Sequence, residues 1–225
     1  MAVHLQKEID NLKKKILRLS AMVEENVERA VRAVEKRDAD LAEKVVDMDR
    51  AVDIMEIEVE EECLKVLALH QPVATDLRFI VAVLKINSDL ERIGDLTVNI
   101  AERSQELARR PEFAFTSNFP AMMEKARLML KKVLDSLVNL DAKLALSVCA
   151  ADDEVDALYR EMFDKVKAGI VKEPDKVDDY LQMLSITRHL ERIADHATNI
   201  AEDVIYMIEG SIIRHGAEKF RREAR

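Results

Sequence analysis

The stretch Leu90 to Glu102, Leu-Glu-Arg-Ile-Gly-Asp-Leu-Thr-Val-Asn-Ile-Ala-Glu, returns one hundred residues later as Leu190 to Glu202, Leu-Glu-Arg-Ile-Ala-Asp-His-Ala-Thr-Asn-Ile-Ala-Glu. Nine of the thirteen positions are identical. A helix surface that only has to be soluble accepts many other letters, so this agreement points to an internal duplication with a shared task. At about 100° per residue, Glu91, Asp95, Asn99 and Glu102 fall within about 80° of one another on an α-helix. Ile86, Leu90, Ile93, Thr97 and Ile100 line nearly the opposite face. Glu191, Asp195, Asn199 and Glu202 repeat the first pattern. Each copy therefore sets a ladder of oxygen ligands above an apolar stripe.

The rest of the chain supplies matching helices. Leu5, Ile9, Leu12, Ile16, Leu19, Val23, Val27, Ala30 and Val34 recur at three and four residues, which predicts one helix to about Lys36. Asp38 suits the cap of a second helix running to about Leu69, because its carboxylate can accept from the open amides of a first turn. Gln71-Pro72 interrupts that helix, and Pro72 suits the first turn of the next, which extends to about Arg109. The second half repeats this plan with a helix from Ala121 to about Asn139, a cap at Asp141, a helix to about Val171, a break at Glu173-Pro174 and a last helix to about Ile213. The expected fold is all-α, two tandem three-helix bundles of six long helices, with short connections making neighbours antiparallel. The divisions are 1–110 for the first bundle, 111–120 for a linker, 121–213 for the second bundle and 214–225 for a basic tail. The linker holds two of the four prolines and three of the six phenylalanines, which are expected to pin it to the bundles.

Composition agrees with this plan and removes several functions. Four glycines, four prolines, 4% aromatics and 35% charged residues favour long amphipathic helices. A net charge of −9 excludes a general nucleic-acid binder, which needs a basic footprint, and suits cations or a basic protein partner. Cys63 and Cys149 lie within helical patterns without CxxC spacing, so neither zinc nor a disulfide framework is indicated and a reducing cytoplasm is the default. The N-terminus alternates apolar and charged residues, unlike a signal peptide, and no apolar run approaches eighteen residues, so a soluble protein without membrane insertion is expected.

The second helix of each half also carries acids four apart, Asp49 with Asp53 and Asp152 with Asp156. If helices two and three are antiparallel neighbours, these pairs converge with Glu91/Asp95 and Glu191/Asp195 into two four-carboxylate grooves. Acids at this spacing are mildly destabilising unless neutralised. Coordination of hard or borderline cations by carboxylate oxygens would neutralise them. A solvated acidic face balanced by Arg50, Arg92 and Arg192 is the plainer alternative, and duplication of the pairs weighs against it.

A di-iron enzyme of ferritin-like type needs Glu-x-x-His on two helices, and no histidine here follows a glutamate at that spacing. His196 is open to two readings, help to a metal or a simple surface role; its counterpart in the first repeat is Leu96. No glycine-rich phosphate loop, GxSxG or contextual Ser/His/Asp set is present, so the chain is read as a non-enzyme. Ser88 and Ser185 belong to helix faces, and Cys63 is expected to be a core thiol. The alternatives kept open are a metal-storage protein or carboxylate-metal enzyme, and a purely structural scaffold.

Gln71-Pro72-Val73-Ala74-Thr75-Asp76-Leu77-Arg78, the two Leu-Glu-Arg-Ile repeats and Asp152-Asp153-Glu154-Val155-Asp156 resemble the PhoU family of phosphate-specific transport accessory and regulatory proteins. The resemblance runs from Leu5 to about His215 and includes the duplication. It implies two three-helix bundles with pseudo-twofold symmetry and surface carboxylates that hold multinuclear metal clusters, iron in some members. By position, the implied metal ligands are Asp49, Asp53, Glu91, Asp95, Asp152, Asp156, Glu191 and Asp195, with Asn99, Glu102, Asn199 and Glu202 as outer contributors. The first repeat departs from the family pattern at Leu96, usually histidine, and at Thr97, usually alanine. The implied task is negative control of phosphate uptake and of the phosphate-starvation response. Its implied form is a cytoplasmic homodimeric adaptor between the phosphate ABC transporter and a sensor histidine kinase.

Overall fold

A computed structural model describes residues 2–111 and 118–212. Phe113, Phe115 and the tail from 214, and with them the linker-pinning expectation for those two phenylalanines, lie outside the described residues. Six long α-helices account for nearly all of the described chain: α1 (Ala2–Lys36), α2 (Ala39–His70), α3 (Ala74–Ala108), α4 (Phe119–Asn139), α5 (Ala142–Lys172) and α6 (Val177–Glu209). Helices α1, α2 and α3 pack on one another, as do α4, α5 and α6, and the two bundles join chiefly along α3 and α6. The all-α, duplicated three-helix architecture is the one the periodicity predicts.

Local chemistry explains where the helices start and stop. Asp38 accepts from the Leu41 amide at the start of α2, and Asp141 from the Lys143 and Leu144 amides at the start of α5. Each satisfies donors that a helix N-terminus leaves open. Besides the start of α4 at Phe119 rather than Ala121, two boundaries differ from the sequence expectation. Pro72 is not in the first turn of α3: Gln71 takes a left-handed conformation (φ 46°, ψ 55°), Val73 is extended, and the helix begins only at Ala74. A buried Pro72 thus belongs to the connection, where its missing N–H costs no helical bond. At the other end α6 stops at Glu209 rather than near Ile213, because Gly210 adopts φ 75°, the left-handed cap that glycine reaches without strain.

The apolar seams meet in one continuous core. Leu12, Ile16, Leu19 and Val23 of α1, Val52, Val59 and Cys63 of α2, and Ile86, Leu90, Ile93 and Ile100 of α3 are buried. Their counterparts on α6, Ile186, Leu190, Ile193 and Ile200, are buried as well. Phe119, expected in the linker, is instead the first residue of α4 and is buried in the same core. Cys63 is a core thiol, as expected. Burial, with Glu62 and Glu60 nearby, pushes it up to about 12, so it carries no thiolate near neutrality.

Polar contacts fix how the halves sit on each other. Going up α3, Lys85 meets Asp203 at 3.1 Å, Asp89 meets His196 at 2.7 Å, Glu106 accepts from Gln182 and Arg110 meets Asp179 at 3.2 Å. Partners descend α6 as the series climbs α3, so the two helices run antiparallel. Arg37, at the turn between α1 and α2, donates to the carbonyls of Leu107 and Arg110 and so closes the C-terminal end of α3.

Candidate metal centres: two carboxylate grooves

The grooves follow from the pleating of α2 against α3 and of α5 against α6. In the first bundle Asp49 stands close enough to Asp95 for the two charges to interact, and Glu91 close enough to Asp53. Advancing four residues along α2 retreats four along α3, which is the register of antiparallel neighbours. The second bundle repeats it, with Asp195 facing Asp152 and Glu191 facing Asp156. All eight carboxylates singled out in the sequence therefore lie in two grooves, four in each.

Close approach of the helices shields part of the first groove. A Cβ added at Gly94 would lie 3.3 Å from Val52 Cγ1 and 3.7 Å from Asp49 Oδ1, so glycine lets α3 come near α2 at the groove floor. The Asp49 Oδ1 atom is buried there and accepts no hydrogen bond. Burial, followed by the charges of Asp53 and Asp95, raises the Asp49 carboxyl above its ordinary range. Burial and Asp95 do the same to Glu91, against the pull of Arg92. In the second groove burial leads again, with Asp195 and Asp156 acting on Glu191 and with Asp152 and Asp156 acting on Asp195. Both grooves hold negative charge under partial desolvation, where it is least comfortable.

The two differ in how tightly their oxygens converge. Asp156, Glu191 and Asp195 each present an oxygen within 4.8 Å of the others. In the first groove Arg92 is drawn in, 3.5 Å from Glu91 and 3.3 Å from Asp95. In the second groove Arg160 lies 3.4 Å from Asp156, and Arg188 and Arg192 stand close enough to Glu191 for their charges to pull on it. The chemistry fits a hard or borderline cation in both: clustered carboxylate oxygens, raised carboxyls that a positive charge would relieve, and an orphaned acceptor on Asp49. Asp49, Asp53, Glu91 and Asp95 could hold it in one groove, and Asp152, Asp156, Glu191 and Asp195 in the other.

The outer residues behave less uniformly. The Asn99 amide donates to the Asp95 carbonyl at 2.7 Å, within its own helix. Asn199 instead crosses to Asp89 at 3.3 Å, beside the His196 contact. His196 thus does not lie on an open surface: its charge is felt by Asp195 of its own groove, and its Nδ1 meets a carboxylate of the other bundle. Periodicity carried no sign of this contact, because it depends on how one repeat is laid against the other. A further rung was also missed in the first groove. The Asn87 amide, one turn before Glu91, donates to the carbonyl and to Oε1 of Glu56, both at 3.0 Å. The only sequence signal was Glu56 standing three residues after Asp53, and the duplication hides it because Tyr159 occupies that place in α5.

Comparison with known proteins agrees with this architecture. The PhoU domain model matches residues 16–104 and 119–204, one copy for each bundle. The PhoU homolog of Aquifex aeolicus, a phosphate-specific transport system accessory protein, is 37% identical over 94% of this chain and 96% of its own. That of Pseudomonas aeruginosa is 35% identical over 92% of this chain and 86% of its own. The crystal structure of Pseudomonas aeruginosa PhoU superposes with a TM-score of 0.88 at 34% identity, covering 92% of this chain and 99% of that one. The phosphate transport system regulatory protein PhoU from Streptococcus pneumoniae superposes at 0.84 with 29% identity, covering 92% and 98%. With both bundles matched, and the fold shared over nine-tenths of its length, this chain belongs to the PhoU family.

Proposed function

We propose that this protein is a non-enzymatic regulator of phosphate uptake that works by holding partner proteins. The observation that carries this reading is the match of both bundles to a family whose curated relatives are named transport accessory proteins, over nearly their full lengths. In this reading the protein acts in the cytoplasm as a homodimer. It restrains the phosphate ABC transporter and links it to a sensor histidine kinase that governs the starvation response. Among the described residues no helix is long and apolar enough to cross a membrane, which suits docking from outside the bilayer.

The grooves are the proposed control points. Cations held by Asp49, Asp53, Glu91 and Asp95, and by Asp152, Asp156, Glu191 and Asp195, would supply positive charge that offsets the crowded carboxylates. A multinuclear cluster, of iron or another metal, suits four carboxylates per groove better than a single ion does. The chain's own residues do the remaining work. Close packing at Gly94 shields the first groove, the arginines at the rims balance charge, and the α3–α6 contacts hold the bundles in one orientation. Coupling of occupancy to partner choice requires that a cation bind one partner-bound state better than the other.

Binding of the purified protein to the transporter ATPase subunit and to the kinase, each by calorimetry with and without divalent cation, tests the adaptor role. Retained binding to at least one partner is expected. Absence of binding to both, together with normal phosphate-dependent gene expression in a deletion strain, would reject it.

A further inference from the structure

The end of the molecule where α1 and α3 begin and α6 stops carries apolar side chains that the core does not use. Ile9 of α1, Phe79 of α3, Leu140 of the α4–α5 turn and Met207 of α6 line one crevice there, of about 330 Å³. Arg78 stands against Gly210, so close that a side chain at that glycine would collide with it. The α2–α3 turn, the α4–α5 turn and the last residues of α6 therefore share one end. Each presents apolar side chains to water: Leu69 and Val73, 68% and 74% exposed, then Val138 and Leu140, then Ile212.

Single apolar residues on a surface are ordinary, but the duplication supplies an internal control. The equivalent turns lie at the opposite end, because α3 and α6 run antiparallel. Counted from the caps Asp38 and Asp141, Glu35 and Arg37 stand where Val138 and Leu140 do. Counted from Pro72 and Pro174, Asp175 stands where Val73 does and Glu173 where Gln71 does. One end thus carries exposed apolar side chains where the other carries charges. The chain beyond α6 departs from the apolar end, with Arg214, Lys219, Arg221, Arg222 and Arg225 against two glutamates, in a protein of net charge −9. Apolar turn tips beside a basic segment supply the two signals that peripheral binding to an anionic lipid surface takes. Such a surface repels the acidic remainder of the molecule and so selects this end. We infer that the protein docks end-on to an anionic bilayer, without a span. The α2–α3 and α4–α5 turns enter the headgroup layer, and the basic C-terminal residues pair with phosphate headgroups. Both carboxylate grooves, set midway along their helices, stay clear of the lipid.

Co-sedimentation of the full-length protein with vesicles of phosphatidylglycerol and phosphatidylethanolamine, against vesicles of phosphatidylcholine alone, tests this. Wild type is expected to sediment with the anionic vesicles and to remain in solution with the zwitterionic ones. Val73→Asp/Leu140→Asp is expected to weaken partitioning by ~10-fold or more. This variant keeps the fold, since position 73 is the N-cap of α3, where aspartate is favoured, and position 140 is left-handed (φ 51°), which aspartate tolerates. Arg221→Gln/Arg222→Gln is expected to weaken partitioning by roughly 10-fold, each basic residue near such a surface contributing about fivefold. Val171→Asp/Leu181→Asp makes the same kind of change on exposed residues at the opposite end and is expected to bind as wild type does. Wild type that stays in solution with anionic vesicles would overturn the inference and leave this end as a protein-docking face. Undiminished binding in Val73→Asp/Leu140→Asp, or an equal loss in Val171→Asp/Leu181→Asp, would overturn it as well.

Discussion

The Nδ1 atom of His196 lies 2.7 Å from Oδ1 of Asp89, a contact that joins α6 of one bundle to α3 of the other. Both side chains are largely withdrawn from solvent, and Asn199 adds a second donor to the same carboxylate oxygen. Under the repeat offset of one hundred, the equivalents of Asp89 and His196 are His189 and Leu96. The duplication is thus broken at this pair: one side of the pseudo-twofold carries an acid and a histidine, the other a histidine and a leucine. Burial and the charges of Arg103, Arg192 and Arg188 hold His189 below its ordinary range, so that imidazole is neutral at physiological pH. The departure from the family pattern at Leu96 thus answers, in the other repeat, to the residue that makes a contact between bundles, and Leu96 itself is buried.

Asp89→Ala is expected to destabilise the protein by about 1–3 kcal/mol, since it removes two acceptor contacts and leaves a half-buried imidazole without its partner. The loss should appear as a lower urea midpoint. An unchanged midpoint would show that the α3–α6 junction does not depend on this contact.

Neutralising the second groove by Asp156→Asn/Glu191→Gln/Asp195→Asn is expected to weaken divalent-cation binding there by more than ~100-fold. Losing only a supporting partner of a metal ligand typically costs ~10–100-fold, and these side chains would be the ligands themselves. Calorimetric titration of the stripped protein with Mn²⁺ checks this. Undiminished binding would place the cation elsewhere.

Without metal, the grooves should favour mild acid. Asp49, Glu91, Glu191 and Asp195 all have carboxyls raised in the folded state, so around their titration the native protein binds more protons than the unfolded chain. Their contribution therefore improves as pH falls toward the carboxylate range and worsens as pH rises through the folded-state values. Exposed acids such as Glu124 and Glu154, lowered by hydrogen bonds to Arg127 and Lys125, act in the opposite sense. A comparison with Asp49→Asn/Glu91→Gln isolates the groove. The variant should melt higher than stripped wild type at pH 7, with the gap closing as pH drops toward the carboxylate range. A gap that widens on acidification would contradict the assignment.

Gly169→Ala sets helix propensity against packing. Alanine gains about 1 kcal/mol over glycine in a helix interior, yet a Cβ at this position would overlap the ring of Tyr180, which is buried against α5. Displacing a packed aromatic ring costs about 1–3 kcal/mol, so a net loss is expected in thermal melts. A rise in melting temperature would mean that the ring moves freely.

The caps should be nearly equivalent in the two halves. Asp38→Ala and Asp141→Ala are each expected to cost about 0.5–2 kcal/mol, and Asp141, which accepts from two amides, should lie toward the upper end. Hydrogen exchange at the first turns of α2 and α5 would locate the loss.

Much of this protein is written in its linear order. Apolar residues three and four apart dictate the helices, Asp38 and Asp141 start two of them, and a hundred-residue repeat dictates two like bundles. Because acids four apart share a helix face whatever surrounds them, Asp49/Asp53, Glu91/Asp95 and their copies were identifiable before any packing was known. Tertiary structure decided what depends on contact between helices distant in sequence. It set the antiparallel register that faces Asp49 with Asp95, and the burial that leaves one Asp49 oxygen unpaired. It set the Asn87–Glu56 rung that only the first bundle has, and the laying of α3 on α6 that turns His196 toward Asp89. Helical periodicity fixes the direction in which a side chain leaves its own axis; what stands opposite it is fixed by the packing of a neighbour, and the charge balance of both grooves depends on that neighbour.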